Sequence, residues 1–376
     1  MRTGGPRRMR VGINILYLRP GIVGGTETYA RELLAAMARL ERRFECVLFV
    51  NARAEESFSL FRSDPRFEVV RCAVPASPLL RHGWEQMQFP RLCRKYRLDV
   101  LHSLGHVTPL LPRCAKVVTV HDLIYKLAPE SISRARRWFW TVMIPLSGKV
   151  SDAVITVSET VRQDVLQSLK LDPRRVCVTH LGPGQSWPAA APWESTQLKY
   201  SVPEKYFLAV GAMEHKRLDL VRDAARRLHE RRGLRVPVLV AGNGSQKHAN
   251  GDDFLHPLGF VPAEELYTLY SKAIALVCSS ELEGFGLPVL EAMGAGTPVI
   301  AVQRGSLKEV VGGAGVMVEH GDSGALAEAM WNVIGSDRFR EELRQRGRER
   351  VEDFSWQDCA RETFEVYETV LRRREE

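Results

Sequence analysis

The feature that most constrains the fold of this 376-residue chain is an alternation, run through twice, between short apolar runs and segments of helical period. In the first half "RVGINILYL" precedes the helical "TETYARELLAAMARL", and "ECVLFV", "DVLHS", "KVVTVHD" and "DAVITVSE" follow as further strands. A helix between two strands returns the chain to the same end of the sheet, so such strands pair in parallel. Residues 182–203, "GPGQSWPAAAPWESTQLKYSVP", break the rhythm with Pro, Gly and small polar residues and read as a linker. The rhythm restarts with strand "YFLAVGAME", a basic helix through "LVRDAARRLHE", and strands "VPVLVAGNG", "IALVCSS", "PVIAV" and "GVMVE". The expected fold class is α/β, with two Rossmann-like doubly wound domains facing a cleft, at residues 9–181 and 204–354. Residues 1–8 read as a disordered basic extension, and residues 355–376 as an amphipathic helix that crosses back to the first domain.

Composition narrows the partners. With 45% hydrophobic and 26% charged residues the chain has the make-up of a soluble globular protein. A net charge of +8 favours anionic partners such as nucleotides or phospholipid headgroups. The seven cysteines are odd in number and form no CxxC pair, which indicates neither a zinc site nor a disulfide framework and fits a reducing cytosol. No segment approaches the 18 or so consecutive apolar residues of a membrane span, and "MRTGGPRRMR" lacks the apolar region of a secretion signal, so a cytoplasmic location is expected.

The stretch "GFVPAEELYTLYSKAIALVCSSELEGFGLPVLEAMGAGTPVIA", residues 259–301, concentrates the chemistry. Glu283 lies just past the carboxyl end of the strand "AIALVCSS", where open parallel sheets bind ligands. "GFGLPVLEAMGAG" then starts a helix, with Pro288 near its first turn and Glu291 about one turn further in. The unpaired amides of Phe285, Gly286 and Leu287 favour a phosphate or sugar oxygen at that helix start. Glu291 can accept hydrogen bonds from a diol such as a ribose. The layout suits a nucleotide-sugar; the bland reading is two surface glutamates and a packing turn.

These residues resemble the Glu-x7-Glu segment of retaining glycosyltransferases of the two-Rossmann-domain type, GT-B, in family 4. The resemblance runs over almost all of residues 9–371, including "WEQMQFPRLCRKYRLDVLHSLGHVTPLL", "VVTVHDLIY", "SDAVITVSE" and the "SLKEVVGGAGVMV" to "FSW" tail of bacterial polysaccharide-assembly members. It implies that Glu283 contacts the transferred sugar, that Glu291 holds the ribose, and that Phe285, Gly286 and Leu287 give main-chain contacts. Phe260 and Val261 of "LGFVP" fall beside the nucleobase, unless that loop is an ordinary turn. The resemblance makes the first domain the acceptor side and the second the donor side.

Three further segments join the site. "GIVGGTETYARELL" sets Gly24 and Gly25 before a helix, with Thr26 as a cap, a second helix start ready for an anion. It lacks the GxGxxG fingerprint, and a tight strand-to-helix turn explains it equally. By resemblance Gly24 and Gly25 reach the donor phosphate, with Thr26 and Glu27 toward the acceptor. "KVVTVHD" ends a strand with His121 and Asp122; the resemblance puts His121 beside the donor sugar and lets Asp122 orient it. "VGAMEHKRLDL" departs from the family's Glu-Pro-Arg-Lys-Asn-Leu. Lys216 aligns with the family's Lys and would neutralise the leaving diphosphate, while the Arg role falls to His215 or Arg217. No Asp-x-Asp motif stands at the donor loops, so no metal or other cofactor is expected and Lys216 with helix amides supplies the positive charge.

The resemblance implies transfer of a hexose from GDP-mannose or a UDP-hexose to a glycan, or lipid-linked glycan, acceptor, with retention by same-face attack. "SRARRWFWTVMIPLSGK" mixes Arg134, Arg136 and Arg137 with Trp138, Phe139 and Trp140, which suits either an anionic membrane surface on the inner face of the cell membrane or a core-packing helix. The rival functions are a sugar-nucleotide epimerase and a nucleotide-sugar-binding protein without turnover. The missing GxGxxG disfavours a nicotinamide oxidoreductase, and no nucleic-acid-binding module is recognisable.

Overall fold

A computed structural model describes residues 8–20, 24–184, 190–248 and 254–376. The first seven strands are β1 (Met9–Asn14), β2 (Phe44–Asn51), β3 (Phe67–Cys72), β4 (Val100–Ser103), β5 (Ala115–Val120), β6 (Ala153–Thr156) and β7 (Val176–Val178). They form one parallel sheet of order β3-β2-β1-β4-β5-β6-β7. The helices among them are α1 (Gly25–Arg39), α2 (Pro78–Lys95), α3 (Ile124–Leu127), α4 (Arg134–Val150) and α5 (Glu159–Leu169). Strands β8 (Phe207–Val210), β9 (Val238–Ala241), β10 (Leu255–Gly259), β11 (Leu276–Cys278), β12 (Val299–Val302) and β13 (Val316–Val318) form a second parallel sheet, of order β10-β9-β8-β11-β12-β13. Its helices are α6 (Trp193–Tyr200), α7 (Leu218–Arg232), α8 (Ala263–Lys272), α9 (Leu287–Gly294), α10 (Leu307–Val311), α11 (Ser323–Gly335) and α12 (Asp337–Val351), and α13 (Trp356–Glu375) ends the chain.

The chain divides into two compact units. The first takes the described residues through Leu123, then Arg134–Leu181 and Trp356–Glu376; the second takes Ile124–Ser133 and Gly182–Ser355. Each sheet reverses its strand order once, between β1 and β4 in the first and between β8 and β11 in the second, the place where a doubly wound sheet opens a crevice at its carboxyl edge. Central strands such as β5 and β9 are buried along their whole length, as helices on both faces require.

The last helix is built into the first unit by its aromatic face. Trp356 is fully buried with its ring 6.1 Å from that of Tyr29, and Phe364 meets Phe44 at 4.7 Å. The Tyr367 hydroxyl is hydrogen-bonded to His102 Nδ1 at 2.6 Å, and His102 Nε2 to Thr119 Oγ1 at 2.8 Å. Burial pulls His102 down to about 3, so this buried polar chain carries no imidazolium charge at neutral pH.

The structure corrects the sequence reading in two respects. Residues 193–200 of the expected linker form α6, and Lys199 Nζ and the Tyr200 hydroxyl both donate to Glu265 of α8, at 2.7 Å and 2.5 Å. The end of that segment is therefore part of the second unit, while residues 185–189 and residues 1–7 of the expected extension lie outside the described residues. Strands β3, β7 and β10 were also not read from the sequence, and all three are edge strands. β10 carries Pro257 and a register shift, both tolerated only where one side of the ladder is unpaired.

Candidate active site

In the second unit, β8 ends at Val210 and Gly211 turns the chain at φ 96°. A Cβ at Gly211 would stand 2.7 Å from Lys216 Cε, so only glycine lets the lysine stem lie across this turn. Lys216 closes a single 3-10 turn, Glu214–Lys216, ahead of α7, rather than opening the helix itself. Its ammonium donates to Glu283 Oε1, and the Ser280 hydroxyl donates to the same oxygen at 2.7 Å. Both charged side chains are mostly shielded, at 15% and 12% exposure, so each is the principal neutraliser of the other.

The loops behind β8 and β11 are stitched together. Ser279 Oγ donates to the carbonyls of Lys216 and Arg217 at 2.6 Å and 3.0 Å, and the Glu281 amide donates to the His215 carbonyl at 2.8 Å. On the far side, Ser306 Oγ bonds the carbonyls of Glu283 and Phe285 at 2.9 Å and 2.8 Å, which fixes the backbone approaching α9. Phe285 is buried edge-on against Phe354, 5.6 Å away, and Gly286 caps α9 in the left-handed region at φ 105°, with Pro288 in the first turn. Gly211, Lys216, Ser279, Ser280 and Pro288 line a small recess here.

One turn into α9, Glu291 Oε2 accepts from the Tyr270 hydroxyl at 3.1 Å. Burial pushes this carboxyl up to about 7, against the pull of the tyrosine hydrogen bond. Other predicted donor residues stand apart. Phe260 follows β10 with 57% exposure while Val261 is buried. His215 is buried, and Arg217, left-handed at φ 49°, is spent on Asp219 through a two-pronged bond (2.9 Å and 2.8 Å). Of the two candidates for the second phosphate role, Arg217 is thus already committed to a neighbour.

In the first unit, His121 follows β5 directly. Its Nε2–H donates to the Leu104 carbonyl at 2.7 Å, which leaves Nδ1 as the lone-pair nitrogen. The ring makes T-shaped contacts with Tyr29 at 4.8 Å and with His106 at 5.5 Å between ring centres. Burial, then the charge of His106, pull His121 down to about 4, against the Leu104 bond and Asp122, so it is neutral at physiological pH. The backbone carbonyl sets the ring, and Asp122 acts through its charge. The start of α1 also differs from expectation. Gly24, at φ 61°, is the cap, and Thr26 lies inside the first turn with its carbonyl facing the Tyr17 hydroxyl at 3.4 Å. Glu27 is paired with Arg31 at 2.6 Å, and Gly25 is the first helical residue.

Helix α4 packs with one part of its surface and exposes another. Phe139 stacks on His82 at 4.6 Å and Trp140 lies 5.4 Å from His106, while Trp138 is 70% exposed among the exposed Arg134, Arg136 and Arg137. Sequence reasoning missed Gly211, Tyr270, Ser279, Ser280, Ser306 and His106. Ser279 and Ser280 directly precede the acidic segment and were open to discovery as donors on the loop that carries Glu283. Among the described residues no three His, Cys, Asp or Glu side chains converge as metal ligands do. No helix among them is long and apolar enough to cross a membrane.

Comparison with known proteins bears on the family and the fold. The model of the Glycosyltransferase Family 4 domain matches residues 23–182 and that of Glycosyl transferases group 1 matches residues 194–350. The O-antigen chain mannosyltransferase B of Escherichia coli is 28% identical over 290 residues, covering 74% of this chain and 76% of the relative. The MMP alpha-(1->4)-mannosyltransferase of Mycolicibacterium hassiacum is also 28% identical, covering 74% and 72%. Among solved structures, the sucrose-phosphate synthase of Thermosynechococcus elongatus aligns with a TM-score of 0.72 at 18% identity, over 98% of this chain and all (100%) of that one. Anabaena HepE in complex with UDP and glucose aligns at 0.71 and 17% identity, over 96% and 100%. Two parallel-sheet α/β units, both family models and these relatives place the chain in the GT-B glycosyltransferases of group 1.

Proposed function

We propose that the protein is a retaining, metal-independent hexosyltransferase that moves mannose or a similar hexose from a nucleoside diphosphate to a carbohydrate, lipid-linked acceptor in polysaccharide or glycolipid assembly. The observation that carries this reading is the Lys216–Glu283 pair beside the Gly286-capped start of α9. Relatives named as mannosyltransferases support mannose as the sugar, with GDP-mannose as the first donor candidate, and the UDP and glucose bound by HepE support a UDP-hexose as the other.

On this reading Lys216 turns from Glu283 to the donor diphosphate, Glu283 accepts from sugar hydroxyls, and the amides of residues 285–287 face the phosphate. Lys216 meets the charge that gathers as the bond from the anomeric carbon to phosphate oxygen breaks. The acceptor hydroxyl oxygen forms the new bond on the same face, and its proton passes to the departing phosphate oxygen. Neutral His121 offers Nδ1 as an acceptor for a hydroxyl at the reacting centre. Acceptor-dependent release of nucleoside diphosphate from a panel of nucleotide-sugars tests the proposal, since an epimerase or a simple binding protein shows none.

Glu291 supplies a second test. Ribose hydroxyls donate best to a carboxylate, so donor binding draws a proton off a group that titrates at about 7. The charged fraction grows as pH rises through that value, and donor affinity is expected to weaken about tenfold per pH unit below it. Glu291→Gln should lose roughly 1.5–3 kcal/mol of binding and flatten this profile. Calorimetric affinity within twofold of wild type, or a slope that persists in the variant, would remove Glu291 from the ribose.

We also assign the exposed part of α4 to an anionic membrane surface on the cytoplasmic side, on the strength of Trp138 beside three exposed arginines. Each basic residue near such a surface contributes about 1 kcal/mol, which salt removes. Replacing Arg134, Arg136 and Arg137 by Ser is expected to cut co-sedimentation with vesicles containing phosphatidylserine. Equal binding to neutral and anionic vesicles would leave α4 as a packing helix.

A further inference from the structure

Three buried polar atoms of the first unit that find no hydrogen-bond partner among the described residues fall in one neighbourhood: His82 Nδ1, Gln86 Nε2 and His106 Nδ1. A buried group left unpaired costs about 1–3 kcal/mol, so three together call for a cause. His82 and Gln86 are one turn apart on the same face of α2. Gln86 Oε1 accepts from the Leu110 amide at 2.7 Å, which ties that face to the loop bearing His106. Helix α4 borders the same place, with Phe139 on His82 and Trp140 against His106.

The hydrogen-bond chemistry of these atoms has a definite sense. Arg81 Nη2 can only donate, so its 2.9 Å contact makes His82 Nε2 the acceptor and puts the proton on Nδ1. The Nδ1 atom lies 3.6 Å from Glu85 Oε2, beyond hydrogen-bond reach. Gln86 Nε2 can only donate. Positive charge gathers around them: Arg81 feels the like charges of Arg19 and Arg136, and Arg136, 5.3 Å over the Trp140 ring, also acts on His106. The carboxylate of Glu85 answers Arg81, at 3.1 Å, and Asp122 acts on His106. Unmet donors among clustered guanidinium groups fit an anion with several oxygens, and aromatic faces beside them fit the ring of a sugar.

We propose that this part of the first unit binds a phosphate group carried by the acceptor, with Gln86 and His82 donating to its oxygens, the His106 ring beside them and Arg136 meeting its charge. The proposal rests on the reading of the first unit as the acceptor side, and the contact of the His106 ring with His121 puts the phosphate in the neighbourhood of that histidine.

Titration calorimetry of the full chain with inorganic pyrophosphate tests it. Two binding events are expected, one removed by Lys216→Ala and the other weakened at least about tenfold by Arg136→Gln, a change at an exposed side chain. Gln86→Glu keeps the acceptor for the Leu110 amide but removes both N–H groups, and is expected to abolish the second event as well. A single event sensitive only to Lys216 overturns the proposal and leaves the donor site standing; a single event sensitive only to Arg136 does the reverse. An Arg136 effect without a Gln86 effect reduces the site to general charge attraction and overturns it. Hexose 1-phosphate and a short-chain prenyl diphosphate, each competed against pyrophosphate at the Arg136-dependent site, then tell a soluble acceptor from a lipid-linked one. Failure of both to compete rejects the acceptor assignment.

Discussion

Replacing Lys216 by alanine is expected to slow turnover by about 100-fold or more, the usual consequence of losing one preorganised charge donor from a reacting centre. The lysine is placed with unusual care for a surface-loop residue. Its stem crosses the Cβ-free face of Gly211, its carbonyl is held by Ser279, and its ammonium rests on Glu283. None of this is needed to keep a solvated lysine in water. The comparison is steady-state kcat against KM for the nucleotide-sugar, with a parallel wild-type assay in EDTA. Full activity in the variant, or wild-type activity abolished by the chelator, would mean that a metal ion takes the diphosphate charge.

Glu283→Gln carries the second large effect, a fall in kcat of about 100-fold to 1,000-fold. The amide keeps an oxygen for the Ser280 hydroxyl and the shape of the side chain, so what is lost is charge facing the transferred sugar. Affinity for the bare nucleoside diphosphate, which lacks that sugar, is expected to stay within about twofold, whereas affinity for the nucleotide-sugar falls. If the variant instead loses nucleoside diphosphate and keeps its kcat, Glu283 acts by holding Lys216 in place and not through the sugar.

What could be read along the chain depended on how local each feature is. Glu283, Gly286, Pro288 and Glu291 occupy one continuous strand-turn-helix segment, so their spacing already carries most of their geometry. The partners of those acids were hidden for the opposite reason. Lys216 lies 67 residues before Glu283, and meets it because β8 and β11 are neighbours in the sheet, a fact of strand order that no local pattern encodes. Tyr270 and Ser306 likewise reach the site from separate elements. The unread strands failed on composition: β3 and β10 expose or interrupt their apolar pattern at a sheet edge, and β7 is only partly buried at another. In α4 the sequence held two readings at once, since neighbouring aromatics on a helix point in different directions and only packing shows that Phe139 and Trp140 turn inward while Trp138 does not.

The placement of α13 has a consequence for how the protein is made. Its buried Trp356, Phe364 and Tyr367 complete the first unit, yet they are translated after the whole of the second. Domains usually settle in the order in which they leave the ribosome. Here the early unit must wait, with the apolar sites that receive those three rings uncovered, until residues Trp356–Glu376 emerge. The late unit has no such dependence, because the one earlier segment it borrows, Ile124–Ser133, has long since been synthesised. Folding order therefore runs against chain order, and a chain cut short ahead of Trp356 would hold a finished second unit joined to an unfinished first one.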